Sequence, residues 1–310
     1  MIEKNKKGLV IGTGSIGLRH YKIISKLLSF DTYIKSSSSK REIDLKNRGY
    51  KIFNKDLNYD FGIIATTSDK HMSTYLKYGN LCPIWLIEKP IVSIYNLFPS
   101  LKIDKKEKDK LFVGYNKRFE KGILKLKKII ENKSILSANF TCLSDLGKWR
   151  KQPISQSISL DRNRGGGVLN ELSHEIDLAS FLLGTIENIT GEVFQKKYTF
   201  TQVEDSAFLY IKHKYGKTSK VNISFASSFD KRIIEVKTTD GIFKYNHHTG
   251  DISLRKSEHS KQILLINTKE ERDLSFKRQA EALIYNNYEN LCTFEKGLDL
   301  IEKIHYLRWQ

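Results

Sequence analysis

The segment Gly8-Leu9-Val10-Ile11-Gly12-Thr13-Gly14-Ser15-Ile16-Gly17 decides the fold of the first part of this chain. Residues 8–11 form a short apolar run, and residues 15–30 carry apolar side chains at helical spacing. Glycines between a strand and a helix allow a tight turn, close approach of the backbone to a pyrophosphate, and close helix–strand packing. The segment therefore predicts a dinucleotide-binding turn rather than an ordinary glycine-rich connection. Its candidate cofactor residues are Gly12, Thr13, Gly14, Ser15, Ile16 and Gly17.

Four further apolar runs extend this pattern. They lie at residues 32–34, 62–65, 84–87 and 111–115, and helix-like stretches separate them. Continuous apolar runs that alternate with helices are typical of a parallel sheet buried on both faces. We therefore predict an α/β domain of the Rossmann type, which binds dinucleotides, over residues 1–118.

The remaining residues, 119–310, show a different pattern. Strand-like segments follow one another from residue 189 to residue 254 without helices between them, and Asp240-Gly241 is a hairpin signal. These features predict an α+β domain with a mostly antiparallel, open sheet, whose last helix can pack back on the first domain. Its predicted helices cover residues 119–130, 168–183 and 276–307.

The composition narrows the possible partners. The 310-residue chain has a net charge of +18, but only 12 of its 53 cationic residues are arginines, on which base-edge and bidentate phosphate recognition relies. The dispersed lysines therefore indicate a solvated surface rather than a nucleic-acid interface. Three distant cysteines suit a reducing compartment, and no apolar run approaches the roughly 18 residues of a membrane span. We expect a cytoplasmic protein without nucleic-acid or membrane partners.

The end of the second predicted strand bears on the choice of cofactor. NAD-binding turns carry an acidic residue about 20 residues after the glycines, which binds the ribose hydroxyls. Here residues 35–41 read KSSSSKR, without a carboxylate. Hydroxyl groups and cations suit a 2′-phosphate, so we expect NADP to be preferred over NAD, bound by Ser36, Ser37 and Arg41. The alternative is a serine-rich turn that contacts no ligand.

Polar residues also follow the third and fourth predicted strands. Small polar residues at the carboxyl ends of parallel strands can face a cofactor. A lysine directly after a buried strand is partly desolvated, which suits it for proton transfer. An ordinary surface turn is the alternative for the EKP segment. The candidate residues here are Thr66, Thr67, Ser68, His71, Glu88 and Lys89.

One motif in the second part, GGGVLNELSHEID at residues 165–177, carries acid–base residues. On a continuous helix, Glu171, His174 and Asp177 lie three residues apart and share a face. A carboxylate beside an imidazole sets its tautomer and raises its basicity. A structural helix with a hydrogen-bonded histidine is the alternative. Two ExxH pairs, at 171–174 and 302–305, resemble those of di-iron bundles, but the strand-rich segment between them argues against a bundle, so we expect no metal.

Taken together, GTGSIG, IIATTSDKH, EKP, GYNKRF and GGGVLNELSHEIDL resemble the Gfo/Idh/MocA family of NAD(P)-dependent oxidoreductases, in order and spacing over residues 8–185. The resemblance implies hydride transfer between nicotinamide and a carbon bearing a hydroxyl or carbonyl, on a sugar, sugar nucleotide or cyclitol. It also implies an open sheet that packs against another subunit. The SDLGKWR segment and the SHEID form look most like members from bacterial surface-polysaccharide and nonulosonic-acid pathways.

The resemblance also implies residue roles. Lys89 falls on the family's lysine near the nicotinamide, His174 on the motif histidine, and Asp177 on the acid after it. Glu171 stands where family members commonly carry aspartate, which leaves its role open. Tyr115, Asn116 and Arg118 fall on a segment that lines the family's cleft, with Asn116 toward the cofactor.

We therefore hypothesise an NADP-preferring oxidoreductase in which Lys89 and His174 share proton transfer, and Glu171 or Asp177 orients His174. Arginines and a tryptophan can hold an anionic or sugar substrate by charge and stacking, although surface ion pairing is equally open to the arginines. A dinucleotide-binding regulator or scaffold without turnover is the alternative, and a nucleic-acid binder is a third. The candidate substrate residues are Tyr115, Arg118, Trp149, Arg150, Arg162, Asn170 and His174.

Overall fold

The chain forms two compact units. The computed structural model describes residues 6–93, 103–149, 153–154 and 157–308. The first unit comprises Met1–Asn116 and Arg272–Leu298, and the second comprises Lys117–Glu271 and Asp299–Gln310. Each unit contains its own β-sheet.

The strands and helices follow one another along the described residues. The strands are β1 (Lys7–Ile11), β2 (Asp31–Lys35), β3 (Phe61–Ile64), β4 (Trp85–Ile87), β5 (Leu111–Val113), β6 (Ile135–Asp145), β7 (Ile186–Phe194), β8 (Ser206–His213), β9 (Thr218–Ser224), β10 (Ala226–Thr238), β11 (Gly241–Asn246), β12 (Asp251–Arg255), β13 (Ile263–Asn267) and β14 (Cys292–Thr293). The helices are α1 (Ser15–Lys22, continued by a π-helical turn over Ile23–Leu27), α2 (Ser39–Asn47), α3 (His71–Tyr78), α4 (Lys105–Lys108), α5 (Lys121–Ile130), α6 (Val168–Glu171), α7 (Ser173–Leu183), α8 (Arg272–Ile284) and α9 (Phe294–Tyr306). None of these described helices has the length and apolarity that crossing a bilayer requires.

The first sheet is the buried parallel sheet that the sequence predicts. Its strand order is β14-β5-β4-β3-β1-β2, and of these described strands only the edge strand β14 runs antiparallel to its neighbour. Leu9, Val10, Ile63 and Leu86 lie on its central strands and have no solvent exposure. Burial on both faces explains the continuous apolar runs, and the carboxyl ends of β1 to β5 share one edge of the sheet.

The second sheet has the order β13-β12-β11-β10-β6-β9-β8-β7. Its neighbouring strands are antiparallel except β6 and β9, which are parallel. Helices α5 and α7 pack against it. In β8, Leu209 and Ile211 are buried, whereas Tyr210 and Lys212 are exposed. This alternation is the period-two pattern of a sheet with one covered face, and it confirms the predicted open, mostly antiparallel architecture.

Two predicted helices are interrupted in the structure. The helix expected over residues 168–183 divides into α6 and α7 at Leu172, whose φ of −101° and ψ of 20° leave the helical region. The helix expected over residues 276–307 ends at Ile284, and Asn286 then takes a positive φ of 59° ahead of β14. Apolar residues keep their helical spacing across both breaks, so periodicity alone does not reveal them.

His71, His213 and His305 are three of the almost fully buried histidines. Burial lowers the pKa of each, because the charged imidazolium loses its hydration. For His305, burial and the nearby charge of Arg308 lower the pKa to about 3. These imidazoles are therefore neutral in the folded protein near pH 7, whereas the unfolded chain protonates them below a pKa of about 6.5.

We expect the free energy of unfolding to decrease as the pH falls below about 6.5, because the unfolded chain then binds protons that the folded chain does not. For His305 the window extends down to its folded pKa of about 3. The loss for this residue between pH 6.5 and pH 5 is about 2 kcal/mol. Chemical denaturation across this range should give a shallower pH dependence for His305→Gln than for the wild type. The exposed His259, changed to Gln, is the matched control, and equal slopes in all three proteins would contradict the account.

Candidate functional site

The glycine turn between β1 and α1 is closed by contacts that leave no room for side chains. Gly12 has a φ of +120°, and a Cβ there would lie 2.2 Å from the carbonyl oxygen of Ala65, which follows β3. A Cβ on Gly17 would lie 2.0 Å from the Gly12 carbonyl oxygen. Around Gly14, by contrast, no described atom lies within 4 Å of such a Cβ. Two glycines thus pack backbone on backbone, and the third borders open space at the start of α1.

The end of β2 lies beside this turn. The Gly12 amide donates to the Lys35 carbonyl at 3.0 Å, and the hydroxyl oxygens of Thr13 and Ser36 are 3.3 Å apart. The Ser36 amide donates to Oε1 of Glu42 at 3.0 Å. A carboxylate therefore stands at the end of β2, although none follows the strand directly in the sequence.

The other residues predicted to bind a 2′-phosphate have different surroundings. Ser37 is exposed, and Nη1 of Arg41 donates to Oδ2 of Asp44 at 2.7 Å within α2. Lys35 Nζ lies 3.7 Å from Oε1 of Glu42. Cations do lie near the end of β2, and the pairs with Asp44 and Glu42 bring acidic partners to two of them.

His71 joins the ends of β3 and β4. Its Nδ1 lies 2.8 Å from the Pro90 carbonyl oxygen, and its Nε2 lies 3.2 Å from the Thr66 carbonyl oxygen. Burial lowers the pKa of His71, so the ring is neutral and donates through one nitrogen. The IIATTSDKH and EKP segments are thus brought together at the same sheet edge as the glycine turn, with Thr67 and Ser68 between Thr66 and His71.

Lys89 follows β4 in a turn that Glu88 organises. Oε1 of Glu88 lies 2.8 Å from Nε2 of the buried His20, and its Oε2 accepts the Lys89 amide at 3.3 Å. A Cβ on Gly114, directly after β5, would lie 2.9 Å from the Glu88 carboxyl carbon. Lys89 itself is half-buried. The side chain predicted to transfer protons therefore leaves the sheet at the edge where the glycine turn lies.

The residues after β5 are buried. Tyr115 has no solvent exposure and Asn116 has 5%. Nδ2 of Asn116 donates to the hydroxyl oxygen of Ser275 in α8 at 3.0 Å. In the first unit, this contact joins the predicted cofactor residue Asn116 to α8.

The second unit holds the acid–base motif on two short helices. Glu171 ends α6, and His174 is the second residue of α7, so the break at Leu172 separates them. The continuous helical face predicted for Glu171, His174 and Asp177 is therefore interrupted. The Glu171 Oε1 accepts the hydroxyl of Ser159 at 2.8 Å, and His174 is half-buried.

Asp177 is bound by Arg118. Nε of Arg118 donates to both carboxylate oxygens, at 3.1 and 2.9 Å, and its Nη2 donates to Oδ1 at 2.6 Å. The two side chains are only 4% and 1% exposed. A bidentate pair shielded from water to this degree fixes Arg118 to α7, so the two predicted site residues are partners of one another.

The remaining predicted substrate residues are spread over the same unit. The Trp149 ring packs edge-on against Phe225, with centroids 6.0 Å apart, and Arg162 is half-buried. Asn170 is fully buried, and its Nδ2 donates to the Gly165 carbonyl at 3.0 Å. Arg150 lies outside the described residues.

Three residues that organise these surroundings escaped the sequence analysis: His20, Glu42 and Ser159. His20 and Glu88 are 68 residues apart, and Ser159 and Glu171 are 12 apart, so only the folded chain brings them together. A histidine within the helical segment after the glycines was an available signal for His20. For Glu42 the signal was an acidic residue in the first turn of the helix that follows β2.

The first unit fits a dinucleotide. The open space at Gly14 allows a pyrophosphate to approach the backbone, and the first amides of α1 have no partners within the helix. Oγ1 of Thr66 is buried without a hydrogen-bond partner among the described residues, so a ligand group can satisfy it. Among the residues that the structure describes, no three His, Cys, Asp or Glu side chains are grouped to hold a metal ion.

The parallel sheet, the glycine turn at its first crossover and the polar sheet edge define the first unit as an α/β unit of the Rossmann type. Residues 123–244 match the family model described as the GFO/IDH/MocA C-terminal domain. The solved structure of a levoglucosan dehydrogenase in complex with NADH is similar with a TM-score of 0.82 and 16% identity, over 98% of this chain and 97% of that chain.

Two curated relatives are also similar. The uncharacterized oxidoreductase YrbE of Bacillus subtilis (strain 168) is 23% identical over 93% of this chain and 89% of its own. A myo-inositol 2-dehydrogenase of Thermotoga maritima is 23% identical over 76% of this chain and 74% of its own. The matched model describes a domain of the same Gfo/Idh/MocA family that the five motifs resemble, and both relatives are named as oxidoreductases or dehydrogenases.

The glycine turn yields a prediction that separates folding from binding. Gly17→Ala should lower the free energy of unfolding by about 2 kcal/mol or more, because its Cβ collides with the Gly12 carbonyl. Gly14→Ala should leave the unfolding midpoint unchanged but weaken NADH binding at least about tenfold, because the methyl group fills the space a pyrophosphate needs. Denaturation and calorimetric titration measure the two effects. Unchanged NADH affinity in Gly14→Ala would remove the cofactor from this turn.

Proposed function

We propose that this protein is an NAD(P)-dependent oxidoreductase that transfers a hydride between nicotinamide and the CH–OH carbon of a sugar, sugar nucleotide or related polyol. The observation that carries the proposal is the sheet edge of the first unit, where an open glycine turn and a half-buried lysine follow strands of one parallel sheet. The names of the similar proteins support it, since one is a levoglucosan dehydrogenase with NADH and another a myo-inositol dehydrogenase.

In this proposal, oxidation of the alcohol removes a hydride from the carbon and a proton from the hydroxyl oxygen. When bound, NAD(P)⁺ supplies the acceptor for the hydride from the CH–OH carbon. Lys89 and His174 share the proton that leaves the hydroxyl oxygen, and they return it in the reverse direction. Lys89 is suited to this role because the Glu88 carboxylate and its buried partner His20 fix the turn from which the lysine projects.

The carboxylates of the motif take distinct roles in the proposal. Asp177 binds the buried Arg118, and this pair holds α7 in place. Because His174 lies on the same helix, the pair also fixes the position of His174. Glu171 is anchored by Ser159 one residue before the break between α6 and α7. We therefore assign Glu171 and Asp177 to orienting His174, and we assign substrate contact to the less buried Trp149 and Arg162.

The proposal extends to the oligomeric state, the cellular location and the pathway of the protein. We propose a homo-oligomer formed through the uncovered face of the second sheet, where Tyr210 and other side chains between the buried positions are exposed. A cytoplasmic location and a role in surface-polysaccharide biosynthesis rest on the composition and on the SHEID resemblance.

Replacing Lys89 tests the chemistry. Lys89→Ala should abolish turnover, a loss of at least about 100-fold, because general acid–base groups contribute at least that much. NADH affinity should stay within about tenfold of the wild type, or 1.4 kcal/mol. Turnover is followed by NAD(P)H absorbance over a panel of cyclic polyols, sugars and sugar nucleotides. The exposed Lys46, changed to Ala, is the control and should retain full activity.

Two results would contradict this assignment. Retained turnover in Lys89→Ala would remove Lys89 from the mechanism. NADH binding by the wild type without turnover on any substrate of the panel would favour the alternative, a dinucleotide-binding regulator or scaffold.

The structure also bears on the cofactor preference. The sequence predicts NADP because no carboxylate follows β2 directly. In the structure, however, the Glu42 carboxylate lies at the end of β2, where it accepts the Ser36 amide. A carboxylate there accepts hydrogen bonds from ribose hydroxyls and repels a 2′-phosphate. Arg41, the strongest candidate for a phosphate contact, is paired with Asp44. We propose that Glu42 favours NAD, and the solved relative that contains NADH is consistent with this.

The preference is measured by titrating NADH and NADPH into wild-type and Glu42→Gln protein. Removing the charge should shift the ratio of the two affinities toward NADPH by about tenfold or more, or 1.4 kcal/mol. Glu107→Gln, an exposed acid on α4, should leave the ratio unchanged. Tighter wild-type binding of NADPH, with no change in Glu42→Gln, would instead support the preference based on Ser36, Ser37 and Arg41.

A further inference from the structure

The short helix α6, which leads toward His174, has its first amides paired by Glu204. The Glu204 carbonyl accepts the Val168 amide at 2.9 Å, and its Oε1 accepts the Leu169 amide at 3.1 Å. The N-cap residue of α6 is Gly167, which has no side chain that could accept these amides. Glu204, from the segment before β8, thus satisfies donors that a helix leaves unpaired at its N-terminus.

Arg308, two residues after α9, holds this carboxylate in place. Its Nε and Nη2 both donate to Oε1 of Glu204, at 3.0 and 2.5 Å. Nη2 also donates to the carbonyl of Gly166 at 2.8 Å. The two side chains are 9% and 10% exposed. One guanidinium therefore ties together the glycine turn and the residue that caps α6.

The triple glycine is shaped to this pair. Gly167 has a φ of +104°, and a Cβ there would lie 2.4 Å from both Nη2 of Arg308 and Oε1 of Glu204. A Cβ on Gly166 would lie within 2.8 Å of three backbone carbonyl oxygens. Side chains at these positions would collide with the backbone of the turn and with the ion pair. The glycines therefore allow both the turn and the Arg308–Glu204 pair to form.

A second set of contacts leads from the turn to His174. Asn170 binds the Gly165 carbonyl through Nδ2, and its Oδ1 lies 3.4 Å from Nε2 of His305 in α9. The Asn170 carbonyl accepts the hydroxyl of Ser173 at 2.9 Å, and His174 is the next residue. A displacement of the turn is therefore passed through Asn170 to the first turn of α7.

We propose that Arg308 and Glu204 are positioning residues for His174, acting through the Gly165–Gly167 turn and α6. This inference rests on the proposed function, because it takes His174 as an acid–base group. Helix α6 is a single turn of 4 residues, too short to be stable by itself, so its position depends on the groups that cap it. Removing either member of the pair leaves the other as a buried charge without its partner, which loosens the turn.

Two variants test the proposal. Arg308→Ala removes the guanidinium, and Glu204→Gln removes the charge but keeps an oxygen that can accept the Leu169 amide, which guards against a variant that fails to fold. Arg255→Ala is the control, because this arginine is exposed in the same unit. Hydrogen–deuterium exchange of the 165–174 peptide, NADH affinity, kcat, KM and the pH profile are measured for each protein.

Both variants should exchange the 165–174 amides faster by about tenfold or more, with other peptides of the second unit unchanged. The kcat should fall at least about tenfold, with KM and NADH affinity changed less than about threefold, because a small misplacement of an acid–base group costs rate rather than binding. The pH profile should also shift, with Glu204→Gln less affected than Arg308→Ala.

Unchanged exchange at residues 165–174 in both variants would overturn the proposal, as would faster exchange over the whole unit, which would show a merely structural pair. Faster local exchange with an unchanged kcat and pH profile would overturn the link to His174. Absence of turnover in the wild type, with NADH bound, would count against the proposed function, and the exchange result would still decide whether the pair holds the turn.

Discussion

The structure of the first unit depends on backbone packing at two glycines. A Cβ on Gly17 would lie 2.0 Å from the Gly12 carbonyl oxygen, and a Cβ on Gly12 would lie 2.2 Å from the Ala65 carbonyl oxygen. These contacts bring β1, α1 and the end of β3 together at one sheet edge. The positions of Ser36, Thr66 and Lys89 follow from this packing, because each comes at the carboxyl end of a strand registered against β1 or its neighbour.

The second unit fixes its motif differently, through buried ion pairs. Arg118 with Asp177, and Arg308 with Glu204, are each shielded from water, and each joins residues more than 50 positions apart in the sequence. Buried pairs add little net stability compared with apolar packing, but breaking one is costly. Their effect is to hold α6 and α7 in position, which is what a site built at the start of α7 requires.

Much of this arrangement can be predicted from the sequence, because it depends on local pattern. The apolar runs at 8–11, 62–65 and 84–87 correspond to β1, β3 and β4 within about one residue, since strands buried on both faces leave a continuous apolar signal. The GxGxxG and EKP turns directly follow β1 and β4, so the strand pattern also places these turns. The family resemblance then supplied roles that no local pattern contains.

The rest depends on folded-state contacts that no local sequence pattern shows. Glu42 reaches the end of β2 only because α2 folds back, and Arg308 meets Glu204 across 104 residues. The breaks at Leu172 and after Ile284 are backbone features that leave apolar spacing intact. These contacts and breaks determine the cofactor preference and the placement of His174. Sequence pattern therefore predicts the strands and turns that carry the site better than the side-chain contacts that determine its chemistry.

The central claim is that the sheet edge of the first unit binds a nicotinamide dinucleotide. Calorimetric titration of the folded protein with NADH, at low and at moderate salt, tests it most directly. We expect saturable binding of one NADH per chain that persists at moderate salt, because backbone amides and neutral polar groups make most of the contacts. No binding of NADH or NADPH, or binding that disappears with salt as for any polyanion, would contradict the account.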